Sequence, residues 1–147
     1  PINSAKLIID HVEDGVIIAK KNNLPERVID FIKTHHGNSV VYFFYKKQEE
    51  LKDDNYSKED FQYPGPKPFS KETAILMMAD SVEAASKSLK NPTANQLEEF
   101  VNKIVSDKMN ENQFDSSDIT LKEIETVKNV LYKKLVNIYQ LRIEYPE

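Results

Sequence analysis

Ser70-Lys71-Glu72-Thr73-Ala74-Ile75-Leu76-Met77-Met78-Ala79-Asp80-Ser81-Val82-Glu83-Ala84-Ala85 is the stretch that decides the fold. Ser70 is a good helix cap. Ala74 to Ala79 would be apolar on every face of the helix that follows. The pattern predicts a helix from Lys71 to about Leu89, buried at the centre of a helical domain. Downstream, Thr93 with Gln96 and Thr120 with Glu123 have capping-box spacing. Leu97, Phe100, Val101, Ile104 and Val105 recur at helical spacing after the first box, and Ile124, Val127, Leu131, Leu135 and Ile138 after the second.

Upstream, Ser4 is expected to cap a helix carrying Leu7, Ile8 and Ile9, with a bend at Asp14-Gly15. Pro25-Glu26 opens another helix through Val28, Ile29 and Ile32. It ends near His35-His36, with Gly37 as the expected C′ residue. Ser39 to Leu51 begins with strand-prone Val40-Val41-Tyr42-Phe43-Phe44-Tyr45, but the polar run behind it favours helix. Lys52 to Ser70 is read as a loop, because Pro64, Pro66 and Pro68 cannot sit in a helix interior. The reading is all-α, about six helices with no assigned strand, with 1–147 as one domain.

The 147 residues suit a single core. A net charge of −4 gives no footprint for long nucleic acid. A small anionic substrate stays open, because a metal can supply local positive charge. With no cysteine, thiolate zinc sites and disulfides are excluded. No apolar run is long enough to span a bilayer, and no secretory signal is present. The opening Pro1-Ile2-Asn3-Ser4, without Met, reads as an excised piece of a longer protein.

Asp80 follows six apolar positions, so it is expected to be buried and in need of a cation, a metal or hydrogen-bond donors. The plain alternative is that it pairs with a nearby Lys or Arg or sits at a helix end. His35-His36 is a second candidate. Consecutive helix residues point about 100° apart, so the two rings converge only if the helix ends there. Otherwise one is buried and the other solvated. His11 completes the set of three His. Three His and an Asp from separate helices suit a divalent transition metal in a helix bundle.

Four segments carry a resemblance: Ile9-Asp10-His11-Val12-Glu13-Asp14-Gly15, Thr34-His35-His36-Gly37, Tyr63-Pro64-Gly65-Pro66-Lys67-Pro68 and Met78-Ala79-Asp80-Ser81-Val82-Glu83-Ala84-Ala85. With the ending Arg142-Ile143-Glu144-Tyr145-Pro146, they resemble the C-terminal HD domain of the membrane-anchored seven-transmembrane receptor HD hydrolases, which are cyclic di-AMP phosphodiesterases. The resemblance runs in order along the whole chain. It implies an HD-superfamily helical bundle and His11, His35, His36 and Asp80 as metal ligands. It also implies two divalent ions in the complete domain, manganese or iron, and a small cyclic dinucleotide as substrate. The setting implied is the cytoplasmic domain of a bacterial inner-membrane protein, with the membrane reached only through upstream segments. The family's first ligand His and its His-Asp dyad have no counterpart here. The metal site is thus expected to be incomplete, the domain partial and truncated at its N-terminal helices, and the chain alone inactive or weakly active. Uncovered apolar surface would favour a homo-oligomer.

Tyr63 and Lys67 are the candidate substrate-binding residues, one by stacking on a base and one as a point charge. Loop packing is the alternative for Tyr63. Lys71 is expected to be solvated, Phe43, Phe44 and Tyr45 to be core, and Glu111 to Asp118 to be a solvated connection. The alternative functions are an HD phosphohydrolase of another nucleotide, or a nucleotide-sensing domain without catalysis.

Overall fold

The computed structural model describes residues 1–143, with side chains described through 140. Glu144, Tyr145 and Pro146 of the expected ending lie outside the described residues. Six α-helices follow in order: α1 (Ile2–Lys21), α2 (Glu26–Thr34), α3 (Tyr42–Glu50), α4 (Lys71–Ser86), α5 (Ala94–Asn110) and α6 (Leu121–Ile143). There is no strand among the described residues, only an isolated antiparallel bridge between Val40 and Gln62. The all-α expectation holds.

Local chemistry explains most boundaries. Ser70 accepts from the Thr73 amide at 3.2 Å, and the Thr73 hydroxyl accepts from the Ser70 amide at 3.0 Å. The Thr93–Gln96 and Thr120–Glu123 boxes form as expected. Besides α4, which ends at Ser86 three residues before the expected Leu89, three boundaries differ. Helix α1 starts at Ile2 with Pro1 as its cap, so Ser4 lies inside the helix. The helix also runs through Asp14-Gly15 without a break. Gly15 serves packing instead, since an added Cβ would stand 3.1 Å from Ile32 Cγ2. Third, α2 ends at Thr34 with His35 as its cap, and Gly37 takes the left-handed turn (φ +53°) one position later than expected.

Two helical layers meet at α2 against α4. Helix α1 packs on α2, on α3 and on a 3-10 turn at Lys58–Phe61, whereas α4, α5 and α6 pack on one another. The main core joins Ala74, Met77, Met78 and Val82 of α4 to Leu97, Val101 and Val105 of α5 and to Ile124 and Leu135 of α6. The buried residues of α1 are Ala5, Val12 and Ala19, one every seven positions. Seven residues make nearly two turns, so they form a single narrow stripe. Leu7, Ile17 and Ile18 remain exposed, leaving apolar surface uncovered on that helix.

Four expectations of burial fail. Helix α4 uses one face only, and Ile75 and Leu76 are exposed. Phe43 is exposed, and Phe44 and Tyr45 are half-buried, because α3 turns Gln48 inward instead. Lys71 is not free, for it pairs with Glu123 at 3.2 Å and ties the start of α4 to α6. Glu111 to Asp118 is not simply solvated, since Gln113 and Phe114 are buried. The expected loop from Lys52 to Ser70 is also packed, with Phe61, Tyr63 and Pro68 buried.

Gly37 should be intolerant of any side chain. Its φ is positive, and a Cβ there would meet the Gln113 side chain and the Met77 methyl. Gly37→Ala is expected to cost about 2 kcal/mol, read as a lower urea midpoint. An unchanged midpoint would show that the turn relaxes freely.

Candidate metal centre

Helix α1 turns His11 outward beside buried Val12. His35 caps α2, and His36 lies in the turn beyond. Because the helix stops there, the two rings escape the wide separation of consecutive helical residues. Their centroids are 4.1 Å apart. His11 approaches both edge-on, at 5.3 Å from His35 and 5.0 Å from His36. One ligand nitrogen from each ring can be chosen so that all three lie within 4.8 Å of one another.

Hydrogen bonds fix which nitrogens are offered. His11 Nδ1 donates to the Ile8 carbonyl oxygen, and His35 Nδ1 donates to that of Ile32 at 2.7 Å. In each neutral ring the proton is then committed, and Nε2 is left with a bare lone pair. These two Nε2 atoms face each other at 3.2 Å. Two lone pairs opposed at that distance repel unless positive charge stands between them. Such a backbone-anchored imidazole is how proteins orient a metal ligand. The donor set fits a divalent ion.

His36 adds a third ring. Burial above all, then positive charge on His35 or His11 whenever either is protonated, and that of Lys108, lower its pKa to about 3, so it is neutral. Its Nδ1 lies 3.9 Å from Asp80 Oδ2, too long for a hydrogen bond. The Asp80 side chain is 38% exposed. The expectation of a carboxylate buried on all sides is therefore corrected. The face of α4 that carries it is open, so its case rests on nearness to His36.

Tyr63 stacks on His36, with centroids 4.4 Å apart and planes 16° from parallel. Burial, then the charge of Asp80, pushes its phenol up to about 12. The proline-rich segment is laid against the histidine turn by three bonds. Val41 N donates to Phe61 O, Gln62 Nε2 to Asn38 O and Tyr63 N to Ser39 O. Lys67 is half-buried and makes no hydrogen bond or ion pair with this cluster.

Sequence reasoning missed Gln113. Its side chain is 2% exposed. Its Oε1 accepts from Asn38 N at 3.2 Å, and its Nε2 donates to Asn38 Oδ1 at 2.7 Å. It thereby clamps the turn that follows His36. The only signal was Phe114, an apolar residue within an acidic run.

The sequence profile of the HD domain family matches residues 2–85, which include all four candidate ligands. The cyclic-di-AMP phosphodiesterase PgpH of Bacillus subtilis (strain 168) is 44% identical over 147 residues, covering 100% of this chain and 20% of that protein. The protein of the same name from Listeria monocytogenes is 39% identical over the same length. A crystal structure of the L. monocytogenes PgpH HD domain in complex with cyclic-di-AMP is similar at a TM-score of 0.90 and 37% identity. That match covers 95% of this chain and 65% of the other. The chain spans about a fifth of the length of the curated relatives it matches.

Gln113→Leu keeps the volume and removes the clamp. It leaves the Asn38 amide without its partner and is expected to cost about 2 kcal/mol in urea unfolding. The amide resonances of His35 and His36 should shift with it. A loss in stability with those resonances unmoved would show that Gln113 does not hold the histidine turn.

Proposed function

The chain belongs to the HD domain family, and on that premise we propose that it carries the downstream part of a phosphodiesterase metal centre, the whole protein opening cyclic di-AMP to the linear dinucleotide. One observation carries this reading. The His11 and His35 Nε2 lone pairs are aimed at each other across 3.2 Å, with both Nδ1 protons committed elsewhere. A divalent ion bound there supplies water activation at neutral pH and withdraws charge from phosphoryl oxygens. Manganese or iron suits the nitrogen and oxygen donors.

Each residue has a separate task in this reading. His11 and His35 hold the ion through Nε2, and the Ile8 and Ile32 carbonyls keep the rings from turning. His36 is neutral, the form that ligates. Asp80 offers a carboxylate oxygen from the open face of α4. Tyr63 shelves the His36 ring and holds it in place. Lys67 is the point charge held in reserve for a phosphate. The names of the B. subtilis and L. monocytogenes relatives, and the ligand of the Listeria structure, support cyclic di-AMP as the substrate.

Residues 1–147 are in this reading a partial domain. The chain has no consecutive His-Asp pair, so three His and one Asp serve where two ions need more ligands. Among the described residues no helix is long and apolar enough to cross a membrane. The membrane anchor, the cytoplasmic placement and any self-association belong, in this proposal, to the longer protein.

Titrated with Mn²⁺, the chain should hold no more than one weakly bound ion, and His35→Ala should abolish even that. Two tightly held ions with full turnover of cyclic di-AMP would overturn the partial-site reading. In a longer protein carrying the upstream residues, His36→Ala should lower turnover by at least about a hundredfold. Turnover unchanged by that substitution would remove His36 from the metal centre.

A further inference from the structure

Ser39 joins the two stacked rings of the candidate centre through the backbone. Its amide donates to the His36 carbonyl at 3.1 Å, and its own carbonyl accepts from the Tyr63 amide at 2.9 Å. His36 and Tyr63 are the residues whose rings stack. A move of Ser39 therefore moves both. Ser39 is 5% exposed, and its hydroxyl accepts from the Lys108 ammonium at 3.1 Å.

Lys108 lies in the last turn of α5, 69 residues from Ser39 in sequence. A lysine at a helix end has a plain use, since its charge suits the negative end of the dipole. That use needs no burial and no distant partner. The Lys108 side chain is only 19% exposed, and an ammonium withdrawn that far from water is costly unless opposite charge answers it. Glu111, at i+3, gives that answer. Its Oε2 is buried without a hydrogen-bond partner and lies 3.7 Å from the Lys108 nitrogen. The gap is too long for a hydrogen bond and short enough for strong attraction away from water. The carboxylate thus holds the ammonium in place and leaves its N–H groups to Ser39.

Stability alone does not account for this pair. Apolar residues of similar volume often serve a core as well as a buried ion pair does, and the best-attested use of such a pair is to fix register. The register here is that of the 36–39 turn against α5. Gln113 holds the turn at Asn38 through neutral bonds. Lys108 holds it one residue further on, where the two rings are joined. Lys108 also lines a groove of about 910 Å³ that takes in Phe43, Asp80 and His36. Its ammonium is already engaged there by Ser39 and Glu111, which favours holding the wall over gripping a ligand.

We propose that Lys108 is a positioning residue of the metal centre: held by Glu111, it fixes Ser39 and, through Ser39, the stacked His36 and Tyr63 rings. That His36 is a ligand rests on the phosphodiesterase reading above, whereas the linkage from Lys108 to the two rings does not.

Three variants of the metal-free chain, followed by NMR of side-chain resonances, test the linkage. Ser39→Ala removes the hydroxyl alone. Lys108→Met with Glu111→Gln removes the ammonium, keeps its stem and strands no carboxylate. The third combines all three substitutions. Each should shift the ring resonances of His36 and Tyr63 and leave those of Tyr132 on α6 in place. The combined variant should shift them no further than the lysine variant does, because both act on one bond. Ser39→Ala should also shift the Lys108 Nζ resonance, and if the lysine variant fails to fold, this joint shift with the two rings still decides. Rings that stay unmoved, or shifts that add, would overturn the linkage. In the longer protein loaded with Mn²⁺, Lys108→Met with Glu111→Gln should lower kcat on cyclic di-AMP about tenfold and leave KM unchanged. A raised KM with kcat kept would show that Lys108 grips substrate and would overturn the positioning role. A longer protein that leaves cyclic di-AMP intact before any substitution would overturn the phosphodiesterase reading alone, and the ring shifts would still decide the linkage.

Discussion

Two imidazole nitrogens held 3.2 Å apart with their lone pairs opposed are the constraint around which this chain is arranged. They come from residues 24 positions apart, on α1 and at the end of α2. Keeping them opposed requires both rings and both helices to be fixed. The rings are fixed by their bonds to the Ile8 and Ile32 carbonyls. The helices are fixed at Gly15, where the absence of a side chain lets Ile32 come close. Ile32 therefore acts twice, packing against α1 with its side chain and holding His35 with its carbonyl. A shift of α1 against α2 would move His11 relative to His35 by a similar amount.

The helices were legible because their signals are local. Capping boxes at Thr93 and Thr120 and the apolar spacing behind them need only neighbouring residues to act. What failed was inference about faces. The Ala74–Ala79 run does form a helix, yet burial depends on what packs against it. The core takes Ala74, Met77 and Met78 and leaves Ile75 and Leu76 outside. Asp80 was singled out because a carboxylate in a fully buried helix must find a partner. The helix has an open face, so that premise fails although the residue does lie beside His36.

His35-His36 shows the opposite case. Its convergence depended on the helix ending there, and it does, with His35 as the cap and Gly37 in the left-handed turn. Gly15 was read as a bend because glycine often breaks helices. Its reason for being small is tertiary, and a pattern along one helix cannot disclose the Ile32 methyl on another. For α3 the error was the same in kind. Aromatic residues suggested core, but Gln48 takes the inward position and Phe43 faces the groove.

Gln113 shows how far outside the matched family region the site's geometry is set. The HD profile ends at residue 85, within α4. Yet the backbone beyond His36 is held from the segment after α5, by a buried amide that bonds Asn38 through both its oxygen and its nitrogen. Such an amide is costly to bury unless its bonds are made. Its Asn38 partner lies 75 residues away in sequence, while its nitrogen also donates to the nearby Glu111 carbonyl. The clamp can form only when both helical layers are in place, because Gln113 follows α5 while Asn38 follows α2. Folding of the second layer thus completes the tandem-histidine turn. Helices α4 to α6 contribute one candidate ligand by side chain and the shape of the turn by Gln113, so the metal centre is a property of both layers together.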